Sequence, residues 1–142
     1  MPANAYCVLI VEDEATLARN IRTYLQRSGY KVELAGSAEE GLVLFNHCRP
    51  DAVLLDLRLP GMDGLAALPR FRALNPKLVV ILATGCGTRE TTLEALKAGA
   101  YDVLAKPVPL RTLRLLIEEA LGDETRPKAP LARASKFRNA DC

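Results

Sequence analysis

The sequence contains only one histidine, His47, and this scarcity excludes several kinds of chemistry. We expect His47 at the exposed end of a helix, so a nucleophilic triad with histidine as its base is excluded. A metal site built from two or more histidines is impossible. Any chemistry must therefore use carboxylates, hydroxyls, lysine or the backbone.

Closely spaced cysteines are missing too. The sequence has four scattered cysteines and no Cys-x-x-Cys pair: Cys7, Cys48, Cys86 and Cys142. Zinc sites and redox motifs need such pairs, so we expect isolated thiols in a reducing compartment.

Long hydrophobic runs are also absent, since none approaches the roughly 20 residues that a membrane-spanning helix needs. The N-terminus lacks the basic and apolar regions of a signal peptide. We therefore expect a cytoplasmic protein with no membrane partner.

The 142 residues carry a formal net charge of +2, and the whole excess lies at the C-terminal end. Residues 1–121 hold fourteen basic and fourteen acidic side chains, whereas residues 122–142 hold five basic and three acidic ones. The second segment has two prolines and no repeating apolar face, which is typical of a linker. We predict a neutral domain over 1–121 and a flexible basic tail over 122–142, without direct nucleic-acid binding.

Short apolar runs alternate with helical periodicity along the chain. Strands are predicted over 6–11, 31–35, 52–55, 78–83 and 101–104. Helices are predicted over 15–28, after Ser37 as N-cap, over 65–74, from Thr88 to 98, and over 109–121. Near-continuous apolar strands indicate burial on both faces, so we predict an α/β fold with a doubly wound parallel sheet. Pro69 is expected to kink the third helix or delay its start.

Polar residues stand where these strands end. Glu12 and Asp13 follow the first strand, and Asp56, Thr84 and Lys106 follow the third, fourth and fifth. Each has a bland explanation alone, such as a helix cap or a solvated turn. Together they converge on the edge of the sheet where ligands of such folds bind.

The residue types at this edge favour a particular chemistry. Clustered carboxylates repel one another unless a cation lies among them, and oxygen ligands without histidine or cysteine suit Mg²⁺. A lysine and a hydroxyl beside such a site suit an incoming phosphoryl group. One carboxylate can itself act as the nucleophile and form an aspartyl phosphate.

Four stretches, in this order and spacing, carry a resemblance to a known family. They are VLIVEDE from Val8, PDAVLLDLRLPGMDGL from Pro50, ILATG from Ile81 and KAGAYDVLAKP from Lys97. The chain resembles a response-regulator receiver domain of bacterial two-component systems, and in the loop after Thr84 it is similar to receivers of enhancer-binding transcription regulators. The resemblance implies a flavodoxin-like five-stranded sheet of order 2-1-3-4-5.

The resemblance also implies a role for each residue at this edge. Asp56 matches the phospho-acceptor, and Glu12, Asp13, Asp56 and the backbone carbonyl of Arg58 match the ligands of Mg²⁺. Thr84 matches the hydroxyl that bonds the phosphoryl oxygen. Lys106 matches the cation that contacts the acceptor, and a cis Lys106–Pro107 bond is expected.

The switch position departs from the family pattern. Val103 stands where receivers usually have a tyrosine or phenylalanine that rotates inward on activation. Tyr101 lies two residues earlier, so it would share a strand face with Val103 and could partly substitute. The alternative is that Tyr101 simply packs on a helix.

The resemblance implies a phospho-acceptor module that controls a partner or output domain through its helix 4–strand 5–helix 5 face. The phosphoryl group would come from a sensor histidine kinase, a phosphotransfer protein or a small phosphodonor, and a phosphorylation-dependent homodimer is one outcome. Such a module is not an enzyme, because it catalyses only its own phosphorylation and slow dephosphorylation. The chain would be a stand-alone receiver or a piece that ends near its linker.

Three other functions are alternatives for such a fold. An aspartate-based phosphohydrolase generally needs an acid two residues after the nucleophile, where this chain has Arg58. A nucleotide or flavin binder would rest on Gly85 and Gly87, but Glu90 breaks the glycine-rich fingerprint. A receiver-like module that binds proteins without phosphorylation remains the alternative.

Overall fold

The computed structural model describes residues 6–85 and 87–122, in which five strands and five helices alternate. The strands are β1 (Cys7–Val11), β2 (Lys31–Ala35), β3 (Ala52–Asp56), β4 (Val79–Thr84) and β5 (Asp102–Ala105). The helices are α1 (Ala15–Arg27), α2 (Ala38–Cys48), α3 (Gly64–Leu74), α4 (Arg89–Lys97) and α5 (Leu110–Gly122).

All strand pairs in the sheet are parallel, and the strand order is β2-β1-β3-β4-β5. One face packs against α1 and α5 through side chains such as Ile21 and Leu113. The other face packs against α2, α3 and α4, with Phe45 and Phe71 among the buried residues. The α/β class, the strand order and the helices on both faces are confirmed.

The strands end later than the hydrophobic runs suggest. Asp56 is the last residue of β3 and pairs with Ala83, and Thr84 is the last residue of β4 and pairs with Ala105. The backbone ladder continues past both strand ends, since Lys106 N donates to the Thr84 carbonyl at 2.9 Å. Backbone pairing therefore holds these polar residues in the sheet, which apolar patterning alone does not reveal.

Side-chain caps begin three of the helices. The Ser37 hydroxyl accepts a hydrogen bond from the Glu40 amide at 3.1 Å, so Ser37 is the N-cap, as predicted. The Glu40 carboxylate accepts a hydrogen bond from the Gly36 amide and not from the Ser37 amide. Thr88 caps α4, also as predicted. Asp63 caps α3 from Gly64 onwards, so Pro69 lies inside the helix and does not delay its start.

The last helix, α5, includes Gly122 and so extends one residue past its predicted end at 121. The predicted tail beyond it, residues 123–142, lies outside the described residues. Within residues 6–85 and 87–122, none of the helices is long and apolar enough to cross a membrane.

Among the described residues, Cys7 and Cys48 are free thiols, as expected, whereas Cys86 and Cys142 lie outside the described residues. Cys7 at the start of β1 and Cys48 at the end of α2 lie close enough for each thiol to affect the pKa of the other. Burial, followed by the neighbouring Cys48, raises the pKa of the Cys7 thiol to about 12. Burial also raises the pKa of Cys48. Both thiols are therefore protonated and unreactive at neutral pH.

We predict that Cys7 reacts slowly with thiol reagents in the folded protein. In a Cys48→Ser, Cys86→Ser and Cys142→Ser background, burial remains as the largest cause of the raised pKa of Cys7, so its thiolate fraction at pH 8 should be more than about tenfold below that of an exposed cysteine. Labelling kinetics with a chromogenic disulfide, in native buffer and in denaturant, would measure this difference. Equal rates in the two conditions would contradict it.

Candidate functional site

The carboxyl edge of the sheet gathers the predicted polar residues because the parallel strands β1, β3, β4 and β5 all end there. Glu12 and Asp13 follow β1, Asp56 ends β3, and Lys106 follows β5. Glu12 and Asp56 are buried, whereas Asp13 is exposed. One carboxylate of the group is therefore open to solvent, and two are enclosed.

Lys106 bridges the two buried carboxylates. Its Nζ lies 2.8 Å from Oδ2 of Asp56 and 3.0 Å from Oε1 of Glu12. The lysine side chain is 23% exposed, so the ammonium group lies between the buried carboxylates and solvent. The Lys106–Pro107 peptide bond just after it is cis, which confirms the expectation.

Backbone amides hold the other oxygen of each buried carboxylate. The Arg58 amide donates to Oδ1 of Asp56 at 3.2 Å, and the Glu14 amide donates to Oε2 of Glu12 at 3.0 Å. Both oxygens of Asp56 are therefore fixed in direction. Each carboxylate oxygen keeps a second lone pair, so these bonds leave room for a further cation.

Burial and charge oppose each other in this cluster. Burial raises the pKa of Glu12, and the negative charge of Asp56 raises it further. The hydrogen bonds from Lys106 and from the Glu14 amide lower the pKa of Glu12 and offset part of this rise. Burial lowers the pKa of Lys106, but its hydrogen bonds to Asp56 and Glu12 outweigh burial, so the pKa of Lys106 is raised overall. The lysine is therefore held as a cation.

The carboxylates of Glu12, Asp13 and Asp56 fit a divalent cation. One oxygen from each lies within 4.8 Å of the others. Octahedral Mg²⁺ with ligands at about 2.1 Å places neighbouring oxygens about 3 Å apart, so the three carboxylates would have to turn inward to surround one ion. The donor set is entirely oxygen, which also suits Mg²⁺.

Thr84 and Arg58 lie at the same edge. Thr84 is buried at the end of β4, one residue past the Ala83 that pairs with Asp56. Arg58 is exposed and reaches the site through its backbone amide. Its carbonyl as a metal ligand, and the Thr84 hydroxyl as a phosphoryl contact, remain predictions.

Tyr101 does not share a face with Val103, so that expectation is wrong. Tyr101 precedes β5 and packs with the cluster on the α1 and α5 side, where its hydroxyl donates to Oε2 of Glu119 at 2.8 Å. Val103 is buried in the cluster on the opposite face. Strand alternation fails here because Tyr101 lies outside β5. Tyr101 therefore packs on a helix and cannot take the place of an aromatic at 103.

Gly64 is a structural requirement of the site that sequence reasoning missed. A Cβ at Gly64 would lie 2.5 Å from the Asp56 carbonyl oxygen and 2.8 Å from Cα of Leu57. The Gly64 amide also donates to the Leu57 carbonyl at 2.8 Å. The Asp-Gly pair at 63–64 is the only sequence signal of this close approach, and it reads as an ordinary turn.

Comparison with known protein families and structures identifies the class of protein to which this site belongs. The family model of the response regulator receiver domain matches residues 8–118, so the chain belongs to this family.

Among curated proteins, the chain is 39% identical over 114 residues to the regulatory protein AtoC of Escherichia coli, which covers 80% of this chain and 25% of AtoC. It is 37% identical over 132 residues to the transcriptional regulatory protein ZraR of Salmonella typhimurium, covering 92% and 30%. The chain thus spans well under half the length of these relatives, and the resemblance to receivers of transcription regulators is confirmed.

Solved structures match the fold. A CheY-like receiver domain from Methanospirillum hungatei superposes with a TM-score of 0.80 at 32% identity, covering 85% of this chain and 97% of that one. The receiver domain of NtrX from Brucella abortus superposes with a TM-score of 0.75 at 34% identity, covering 81% and 98%.

We predict that Gly64→Ala destabilises the protein by about 2 kcal/mol, because the methyl group would press on the backbone beneath Asp56. Gly85→Ala is the matched control, since a Cβ there meets nothing within 4 Å. It should change the free energy of unfolding by less than about 0.5 kcal/mol. Urea unfolding followed by circular dichroism measures both. Equal stability of the two variants would show that the close approach at Gly64 is unimportant.

Proposed function

We propose that this chain is a phospho-acceptor module in which Asp56 takes a phosphoryl group from a phosphohistidine donor. The observation that carries the proposal is the orientation of Asp56. Its carboxylate is buried, held at Oδ2 by Lys106 and at Oδ1 by the Arg58 amide, and lies beside the carboxylates of Glu12 and Asp13.

In the proposed transfer, a carboxylate oxygen of Asp56 attacks phosphorus as the bond from phosphorus to the donor nitrogen breaks. The donor imidazole keeps the electron pair, and Asp56 becomes an acyl phosphate. Lys106 and the hydroxyl of Thr84 then stand beside the new phosphoryl oxygens, where a cation and a donor stabilise negative charge.

Family membership implies a Mg²⁺ ion, which Glu12, Asp13, Asp56 and the carbonyl of Arg58 would hold in this proposal. When bound, the ion would neutralise charge on the phosphoryl oxygens. The chain's own contribution is a set of oxygens prearranged within 4.8 Å of one another, with Asp13 exposed on the solvent side. That arrangement lets the ion enter without unfolding of the edge.

We propose that phosphorylation shifts a two-state equilibrium in the face formed by α4, β5 and α5. The Lys106 amide donates a hydrogen bond to the Thr84 carbonyl at 2.9 Å. A displacement of either residue would therefore move the ends of β4 and β5 together. Val103 is small and buried, which leaves this route without a rotating aromatic ring.

The proposal includes the wider role expected of such a module. Its partners would be a sensor histidine kinase or a phosphotransfer protein, and an output domain or target protein downstream. A cytoplasmic location, a phosphorylation-dependent homodimer and the absence of direct nucleic-acid binding belong to the same proposal. So does the lack of enzymatic activity toward an external substrate.

We predict that acetyl phosphate with Mg²⁺ adds one phosphoryl group to the chain, and that Asp56→Asn abolishes the adduct. Intact-mass spectrometry measures it, and removal of Mg²⁺ with a chelator should also abolish it. Asp51→Asn is the matched control, because Asp51 lies at the opposite end of β3. An absence of adduct with every donor would leave only a protein-binding module that works without phosphorylation.

We further predict that Arg58 tunes the lifetime of the aspartyl phosphate. Its exposed side chain lies two residues after Asp56 and would flank the path of an attacking water, so Arg58→Ala should shorten the half-life. The decay of the phosphorylated mass after donor removal measures this, with Arg70→Ala as a control for the lost charge. An unchanged half-life in Arg58→Ala would contradict the prediction.

A further inference from the structure

The segment that joins β3 to α3, residues 57–63, connects Asp56 to the start of α3, and we name it the acceptor loop. Its first part is tied to the site, because the Arg58 amide donates to Asp56 and the Leu57 amide donates to the Ala83 carbonyl at 2.8 Å. Its end is fixed by the Asp63 cap. Leu59 in the middle of the loop is buried in the core, and the Met62 amide near its C-terminal end has a separate anchor.

A glutamate on the neighbouring helix α2 supplies that anchor. The Glu39 carboxylate accepts a hydrogen bond from the Met62 amide through Oε2, at 3.2 Å. The contact spans 23 residues of sequence and joins the first turn of α2 to the acceptor loop. Glu39 therefore adds a hydrogen bond from α2 to the C-terminal part of this loop, beside the burial of Leu59 in the core.

Gly61 makes room for the glutamate. Its φ of +79° is a conformation that L side chains rarely adopt, and the position of a Cβ there would lie only 3.1 Å from Oε2 of Glu39. The carboxylate therefore occupies the space that a side chain at 61 would fill. The loop conformation and the glutamate fit each other as a pair.

We propose that Glu39 is a positioning residue for phosphorylation of Asp56: by holding the Met62 amide, it keeps the acceptor loop, and hence the Arg58 backbone at the site, in the geometry that receives the phosphoryl group. This inference rests on the proposed function. Glu39 touches neither the acceptor nor the cation, so its effect passes through the loop backbone.

Glu40 provides a matched control on the same turn of α2. Its carboxylate accepts a hydrogen bond from the Gly36 amide at 2.8 Å. Gly36 lies in the connection between β2 and α2, away from the acceptor loop. Glu39→Ala and Glu40→Ala each remove one acidic residue and one bond to a backbone amide. Only Glu39→Ala releases the acceptor loop.

Two measurements test the proposal: the rate of phosphorylation by acetyl phosphate at fixed Mg²⁺, and hydrogen exchange of the Met62 amide by NMR. Loss of one such hydrogen bond is expected to slow phosphorylation by about threefold to tenfold in Glu39→Ala, and to accelerate Met62 exchange by a similar factor. Glu40→Ala should leave both rates within about twofold of wild type.

Glu39→Gln separates positioning from the charge that glutamate places at the start of a helix. Glutamine keeps an oxygen acceptor for the Met62 amide but loses the favourable interaction with the helix dipole. Rescue of both rates in Glu39→Gln supports positioning. If Glu39→Gln behaves like Glu39→Ala, the helix charge explains the effect and the proposal is wrong.

The remaining outcomes are also decisive. Faster Met62 exchange with an unchanged phosphorylation rate in Glu39→Ala would make the bond merely structural. Equal slowing in Glu39→Ala and Glu40→Ala would point to α2 as a whole and overturn the proposal. Wild-type protein that forms no adduct would overturn the proposed function as well, whereas a normal wild-type adduct confines any failure to Glu39.

Discussion

The ion pairs from Lys106 to Glu12 and Asp56 are the interaction on which the site depends. The ends of β1 and β3 bring two buried carboxylates together, and without a cation their repulsion would force one of them to take up a proton. The ammonium removes that conflict at 2.8 and 3.0 Å. Loss of the lysine would leave two buried negative charges uncompensated, which is far costlier than loss of an exposed pair.

The position of this cation also bears on the change of state proposed for the site. The carboxylates are fixed by strands and by backbone amides, whereas the lysine ends a flexible stem that is partly exposed. A phosphoryl group or a metal ion arriving at the edge would therefore meet fixed acceptors and a movable cation. A lysine suits that task because its charge is compact and its donors rotate freely.

The outline of the fold and the main site residues could be predicted because they depend on local pattern. Apolar strands that alternate with amphipathic helices dictate a parallel sheet, and its topology places Asp56, Thr84 and Lys106 at one edge. Tyr101 was placed on the wrong face because one residue decides whether alternation applies. Cys7 lies near Cys48, and the Met62 amide donates a hydrogen bond to Glu39, but each pair is far apart in sequence. No local sequence pattern therefore predicts these contacts.

Val103 constrains how a change at Asp56 can reach the partner face. With a small buried side chain at 103 and Tyr101 bound to Glu119 on the other side of the sheet, neither position supplies an aromatic ring that could rotate toward the site. The bond from Lys106 to the Thr84 carbonyl is a backbone link between the acceptor edge and β5. If the chain switches as proposed, this link would carry part of the change from the site to the ends of β4 and β5.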